Sequence, residues 1–221
     1  MQPVSVFGVR KRYEGGVQAL DGVSLDVPAG ELVALLGPSG CGKSTLLNLV
    51  GCIDLPDEGE VRIAGAVTST LSDDALTRLR RDRIGTVFQF FNLLPTLTLA
   101  ENVALPLRLQ GRPNSDISSR VHAALTAVGI ADKAGALPHQ VSGGQVQRAA
   151  IARAIVHEPS IVLADEPTGN LDSRNGENVL AILRELAERG QSILMATHSP
   201  EAAARANRRV LMRDGRIESI V

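Results

Sequence analysis

Eight residues carry the strongest chemical signal in the chain. Gly37-Pro-Ser-Gly-Cys-Gly-Lys-Ser44 fits the pattern G-x-x-x-x-G-K-[ST]. Glycines at these spacings let backbone N–H groups turn inward and cradle phosphate oxygens. A helix opening at the end of the run adds the positive field of its N-terminus. Lys43 is expected to reach the β- and γ-phosphates of a nucleoside triphosphate, and the Ser44 hydroxyl to hold Mg²⁺. Gly37, Pro38, Ser39, Gly40, Cys41, Gly42, Lys43, Ser44 and Thr45 are read together as the phosphate-binding set. Cys41 reads as a small side chain in a tight loop and Cys52 as core packing. Two cysteines at these positions make neither a disulfide framework nor a zinc site.

Ile161-Val-Leu-Ala-Asp165, followed by Glu166, is an apolar strand ending in two carboxylates. Neighbouring side chains at a strand end point opposite ways. Asp165 is therefore expected to hold Mg²⁺ through water, and Glu166 to polarise an attacking water. Alone such a strand end is a weak signal; beside a phosphate loop it is a strong one. A third element is Val141-Ser-Gly-Gly-Gln145, which opens a helix from Gln145 to His157. Small residues at a helix N-terminus make a second anion site. One chain needs only one phosphate loop, so a second phosphate site points to a second chain.

These residues need elements to hold them. Val23–Val27 alternates and reads as a half-buried strand; Glu31–Leu36 is a continuous apolar run, suited to a strand buried on both faces. Ser44–Val50 reads as a helix, Glu60–Gly65 as an edge strand and Ile84–Phe88 as a further strand. From Thr98 to His157 the pattern is helical, with Asp116 as the N-cap of a stretch ending at Val128. Ile161–Asp165 and Ser192–Thr197 read as buried strands flanking an amphipathic helix, Asp172–Arg189, closed by Gly190. Val210–Ile220 reads as a hairpin turning at Asp214-Gly215. This order implies an α/β core with a mostly parallel sheet, interrupted by a helical block.

Composition narrows the partners. The 221 residues are 44% apolar and 21% charged, as in ordinary globular chains. Lys plus Arg number 23 and Asp plus Glu 24, for a net charge of −1. Proteins that neutralise many phosphates of a long nucleic acid carry a basic excess, so no nucleic-acid partner is expected. No stretch approaches the ~18 consecutive apolar residues of a membrane span. Met1 to Arg12 lacks the apolar core of a signal peptide, so the expected location is the cytosol.

Taken with the phosphate loop and Asp165-Glu166, the Ser142-Gly-Gly segment makes the chain resemble the ATP-binding-cassette ATPases over essentially its whole length. The resemblance implies a phosphate-loop core with an antiparallel β subdomain and an inserted helical subdomain. It divides the chain into an ATP-binding core of residues 1–88 and 160–221, and a helical signature subdomain of residues 89–159. It further implies a head-to-tail, ATP-dependent dimer in which Ser142, Gly143, Gly144 and Gln145 of one copy close over the γ-phosphate held by the other. By the same resemblance Tyr13 stacks on adenine, and Gln89 touches Mg²⁺ and the attacking water. Asn170-Leu-Asp172 crosses to the second copy, and His198 hydrogen-bonds the γ-phosphate. Lys43, Gln89, Glu166 and His198 are thus the implied catalytic set, and Ser44, Gln89 and Asp165 the metal set. Val141 and Val146 stand where the family more often has Leu and Gln, and neither change removes a ligand.

The wording of Phe88–Pro106 and of Asp165-Glu-Pro-Thr-Gly-Asn-Leu-Asp172 resembles the cassettes of lipoprotein-release and macrolide-exporter systems, and the cell-division cassette. That implies a separate integral membrane permease, with the cassette held on the inner face of the cell membrane through it. The apolar stretch from Phe88 reads either as the core of the helical block or as a groove for a permease helix, and the two are compatible. Arg78, Arg80, Arg81 and Arg83 read as a solvated face shared with Asp73, Asp74 and Asp82, or as a contact to permease or anionic lipid. Two uses of ATP stay open at this point: export or lipoprotein release, and a non-transporting complex that drives cell-wall regulation.

Overall fold

The computed structural model describes residues 2–221. Its centre follows from the apolar run Leu32-Val-Ala-Leu-Leu36. Leu32 and Ala34 face one side of a sheet, Val33 and Leu35 the other, and all four are fully buried. A strand with no solvent face needs layers on both sides. One layer is helical and the other is a second sheet packed with two helices.

In chain order the elements are β1 (Val4–Tyr13), β2 (Val17–Val27), β3 (Leu32–Leu36), α1 (Lys43–Val50), β4 (Glu58–Ile63), β5 (Ala66–Val67), α2 (Asp73–Arg83) and β6 (Ile84–Val87). There follow α3 (Leu99–Leu109), α4 (Asn114–Ala127), α5 (Gly143–Ile155), β7 (Ile161–Asp165), α6 (Ser173–Glu188), β8 (Ile193–Thr197), α7 (Pro200–Ala203), β9 (Arg208–Arg213) and β10 (Arg216–Ile220). The main sheet has the order β10-β9-β3-β8-β7-β6, parallel except for β10. The second sheet is antiparallel, in the order β2-β1-β4-β5. The helices α3, α4 and α5 are inserted between neighbouring strands β6 and β7. They share one apolar cluster with α6 and the inner faces of β3, β7 and β8. The opposite sheet face packs on α1, on Leu76 and Leu79 of α2, and on the antiparallel sheet.

Several expectations are corrected. Glu60–Gly65 is not an edge: β4 pairs β1 on one side and the two-residue β5 on the other. Phe88 lies beyond the end of β6. Asp116 does not cap α4: Pro113 holds the N-cap position, and Asp116 sits in the first turn, 2.9 Å from Arg120. An acidic side chain there still favours the helix by facing its positive end. The terminal hairpin starts earlier, at Arg208, because β9 also pairs in parallel with β3. β1 and α2 had no counterpart in the sequence reading.

Candidate functional site

β3 ends at Leu36 and α1 starts at Lys43, so the glycine-rich run is the strand-to-helix turn. Two of its glycines are forced by close approach. A side chain on Gly37 would collide with the carbonyl of Met212, and one on Gly42 with that of Ala19. Gly42 also has φ +103°, in the left-handed region where glycine is unstrained. Lys43 is buried, and its Nζ donates to the carbonyls of Gly37 (2.6 Å) and Pro38 (2.9 Å). The ammonium thus closes on its own loop, where an arriving phosphate would compete for it. Cys41 and Cys52 are both buried and free, as small packing residues should be.

Opposite the loop stand the ends of β7 and β8. Ser39, Gly40, Gly42, Lys43, Ser44 and Thr45 line one wall of a cleft of about 450 Å³. Gln89, Asp165, Glu166 and His198 line the other. The Ser44 hydroxyl donates to Asp165 Oδ2 at 3.5 Å. Burial raises the Asp165 pKa, and the neighbouring Glu166 charge raises it further; Ser44 and Lys43 oppose both. Such a carboxylate gains from a cation. Among the described residues no three His, Cys, Asp or Glu side chains cluster as a metal cage. A hydroxyl beside one carboxylate instead suits Mg²⁺, which keeps waters and takes its other ligands from substrate phosphates.

Glu166 directly follows β7 with φ +45°. For a residue with a side chain this costs on the order of 1–3 kcal/mol. Its N–H donates to the Ala196 carbonyl of β8 (2.9 Å), and its own carbonyl accepts from Gly169 N–H (3.0 Å). These bonds hold the turn that aims its carboxylate into the cleft. His198 Nδ1 lies 2.8 Å from Glu166 Oε1. A carboxylate only accepts, so Nδ1 carries the hydrogen and Nε2 is the ring nitrogen left for a ligand. Gln89 is positioned by the segment after β7: Asn170 Nδ2 donates to its carbonyl (2.9 Å), and a side chain on Gly169 would meet its Nε2.

The remaining site residues lie outside this cleft. Tyr13 ends β1, 40% exposed, and pairs in the hairpin with Val17, which does line the cleft. Ser142 caps α5, accepting from Gln145 N–H (3.3 Å), while Gln145 Oε1 accepts from Ser142 N–H (2.9 Å). The Gln145 oxygen is thereby spent on the cap. Ser142 and Gly143 are exposed and do not line the cleft of the chain's own phosphate loop; Gly143 lies beside Phe91 and Leu171. Asp172, expected in a crossing loop, caps α6 by accepting from Asn175 N–H (2.9 Å).

Sequence reasoning missed the inner face of α5. Gln147, fully buried, donates to the carbonyls of Pro167 (2.6 Å) and Phe88 (3.4 Å), next to Glu166 and Gln89. Arg153 donates to Phe91 (3.0 Å) and Asn92 (2.5 Å). Phe91 and Asn92 both have positive φ, so that loop is held in a strained form by Arg153. The only local signal for Gln147 was a polar residue on an otherwise Val- and Ala-rich helical face. A second, apolar groove of about 330 Å³ runs past Thr86, Phe88, Leu105, Pro106, Leu109 and Arg153. Leu109 on its rim is 70% exposed. Among the described residues no helix is long and apolar enough to cross a membrane.

Sheet order, phosphate loop and the facing carboxylate strand define a phosphate-loop nucleoside-triphosphatase fold carrying an inserted helical block. The family model for ABC transporters matches residues 20–169, and the chain belongs to that family. It is 47% identical over 218 residues to the macrolide export ATP-binding/permease protein MacB of Nitrosomonas europaea, covering 97% of this chain and 33% of that protein. This chain thus spans a third of that relative's length. It is 46% identical over 220 residues to an uncharacterized ABC transporter ATP-binding protein of Thermotoga maritima, covering 100% of this chain and 94% of that one. Among solved structures it is similar to the ATP-binding cassette MJ0796, captured as a dimer in a post-hydrolysis state bound to ADP and Pi. The TM-score is 0.88 at 43% identity, covering 99% of this chain and 97% of that one.

Proposed function

We propose that the chain binds and hydrolyses ATP to power a membrane permease of the export or lipoprotein-release type. The observation that carries this reading is the convergence of Lys43, Ser44, Gln89, Asp165, Glu166 and His198 on one cleft. The loop N–H groups and Lys43 bind the β- and γ-phosphates. Ser44, Asp165 and Gln89 would hold Mg²⁺, which offsets charge on the phosphate oxygens. Glu166 orients a water in line with the γ-phosphate and accepts its proton. In its imidazolium form, with a hydrogen on each ring nitrogen, His198 donates from Nδ1 to that carboxylate and from Nε2 to the γ-phosphate. Tyr13 stacks on the base from the mouth of the cleft.

Ser142, Gly143, Gly144 and Gln145 serve a second copy of the chain. Their place outside the chain's own cleft supports this, since a helix N-terminus there can meet only a phosphate held by another molecule. Two copies then close head to tail over two nucleotides, and closure is the step that moves the permease. Residues 1–88 and 160–221 act as the ATP-binding core and 89–159 as the signature block. The groove beside Phe88, Pro106 and Leu109 takes a short helix of the permease, its apolar floor met by an apolar helix face. That contact places the cassette on the cytoplasmic face of the membrane.

The test is the solution mass of Glu166→Gln with and without MgATP. A doubling with MgATP is the expected result, because binding persists while hydrolysis stalls. A monomer in both states, persisting when the permease is added in detergent, would end the head-to-tail reading.

A further inference from the structure

Tyr13 is not a free side chain. Its hydroxyl donates to Asp54 Oδ2 (3.1 Å), and the Lys11 ammonium lies 5.5 Å from its ring centroid, within reach of a cation–π contact. Lys11 is itself fixed: its Nζ donates to Asp54 Oδ1 (2.8 Å), to the Leu55 carbonyl (2.8 Å) and to Asp57 Oδ1 (3.5 Å). The segment holding these acceptors is bound to β1 on both sides of Lys11. Arg12 N–H donates to Asp57 Oδ2 (2.7 Å), and Asp57 N–H to the Arg10 carbonyl (3.0 Å). The Lys11 side chain is 12% exposed, whereas Tyr13 is 40% exposed. One ring face is closed by a pinned cation and one end is tethered by a carboxylate. The ring remains 40% exposed, and its strand partner Val17 lines the cleft.

We propose that Lys11 and Asp54 are positioning residues for nucleotide binding: they hold the Tyr13 ring so that its other face meets the base. This rests on the reading above that Tyr13 stacks on the nucleotide. A ring already held loses little rotamer freedom when a base stacks on it, so less of the stacking energy is consumed in ordering it. The base then contributes more fully, while the affinity for the phosphates is set by the phosphate loop and the groups facing it across the cleft.

Tyr13 is the single tyrosine of the chain, so ¹³C-tyrosine labelling gives ring resonances of this residue alone. In the full chain, MgATP is expected to shift them upfield by the ring current of adenine, and magnesium tripolyphosphate to leave them in place. Lys11→Met is expected to weaken MgATP about two- to tenfold, the range that ordering one side chain accounts for. Its tripolyphosphate affinity should stay at the wild-type value, a split that general damage to the loop would not produce. Tyr13→Phe keeps the ring and removes only the tether to Asp54, so it should weaken MgATP in the same range by calorimetry. It carries the test if Lys11→Met fails to fold. Unmoved resonances in the wild type would overturn the stacking itself. A wild-type shift together with unchanged ATP affinity in both variants would overturn the positioning role and leave the stacking standing.

Discussion

His198 Nδ1 and Glu166 Oε1 lie 2.8 Å apart across the ends of two neighbouring parallel strands, β8 and β7. The pair is asymmetric in exposure: 17% for the Glu166 side chain and 67% for that of His198. The carboxylate sits low in the cleft where a water would be held, and the imidazole stands at its mouth. Neither residue reaches its position alone. Glu166 accepts a positive φ, and the register of β8 against β7 brings His198 to it.

Two residues that act as one unit lose activity non-additively. Glu166→Gln and His198→Ala are each expected to lower kcat about 10²-fold or more, with MgATP still bound. The double variant should be no slower than the slower single one. Steady-state ATPase assays of the three proteins decide this, and losses that multiply would mean that the two side chains act independently.

Gln147 is expected to matter for rate more than for stability. Its amide bonds two carbonyls, beside Gln89 and beside Glu166, while its own Oε1 is buried without a partner. Gln147→Leu frees two carbonyls and also removes that orphaned oxygen, so the stability terms partly offset. The melting point should move little, on a scale where one kcal/mol is roughly 2–4 °C for a chain of this size. The segments bearing Gln89 and Glu166 lose their shared anchor, so kcat should fall about tenfold. Wild-type turnover in this variant would show that the bracket is structural only.

Asp165 gives a pH-dependent test. Burial and Glu166 raise its pKa in the folded chain, so folding favours its neutral form. The penalty for ionised Asp165 is absent below the ordinary carboxylate range and develops as pH rises through the raised value. Asp165→Asn should therefore melt higher than the wild type at neutral pH, and that advantage should vanish on acidification. The same variant should lose Mg²⁺-dependent hydrolysis. Calorimetric scans across the acid range measure the first effect, and an advantage that persists at acid pH would assign it to something other than charge.

The parts of the molecule that were legible share one property: the residue pattern is imposed by burial along a continuous segment. β3, β7 and β8 are apolar at nearly every position because they are covered on both faces, and their limits agree with the structure to within a residue. β1 escaped because its alternation breaks. Val4, Val6 and Val9 are buried, and register shifts at this point of the strand spoil the period of two. α2 escaped because only Leu76 of its eleven residues is buried, leaving no apolar stripe to read. In the cleft, Lys43, Ser44, Asp165 and Glu166 were legible from residue type and motif, whereas Gln89 and His198 were implied only by the family resemblance. Lys11, Asp54, Gln147 and Arg153 were not, because each acts on a partner more than forty positions away or on a carbonyl, which has no side chain to signal it.

Gly143 offers the sharpest separation of fold from function. It is exposed at the start of α5, and a methyl group there would meet nothing closer than Leu171 at 3.7 Å. Its φ is not positive. Neither space nor backbone angle therefore calls for glycine at this position, and alanine is the better helix former by up to about 1 kcal/mol. Its neighbour differs: a methyl group on Gly144 would collide with Asn175 at the start of α6. Gly143→Ala should thus fold at least as stably as the wild type and bind MgATP equally well as a monomer. If the N–H groups at this helix start must approach a phosphate held by a second copy, the added methyl group stands in the way. Combined with Glu166→Gln, it should abolish the MgATP-driven doubling of mass. Light scattering of the double variant makes the measurement, and a dimer as tight as that of Glu166→Gln alone would remove Gly143 from the proposed interface.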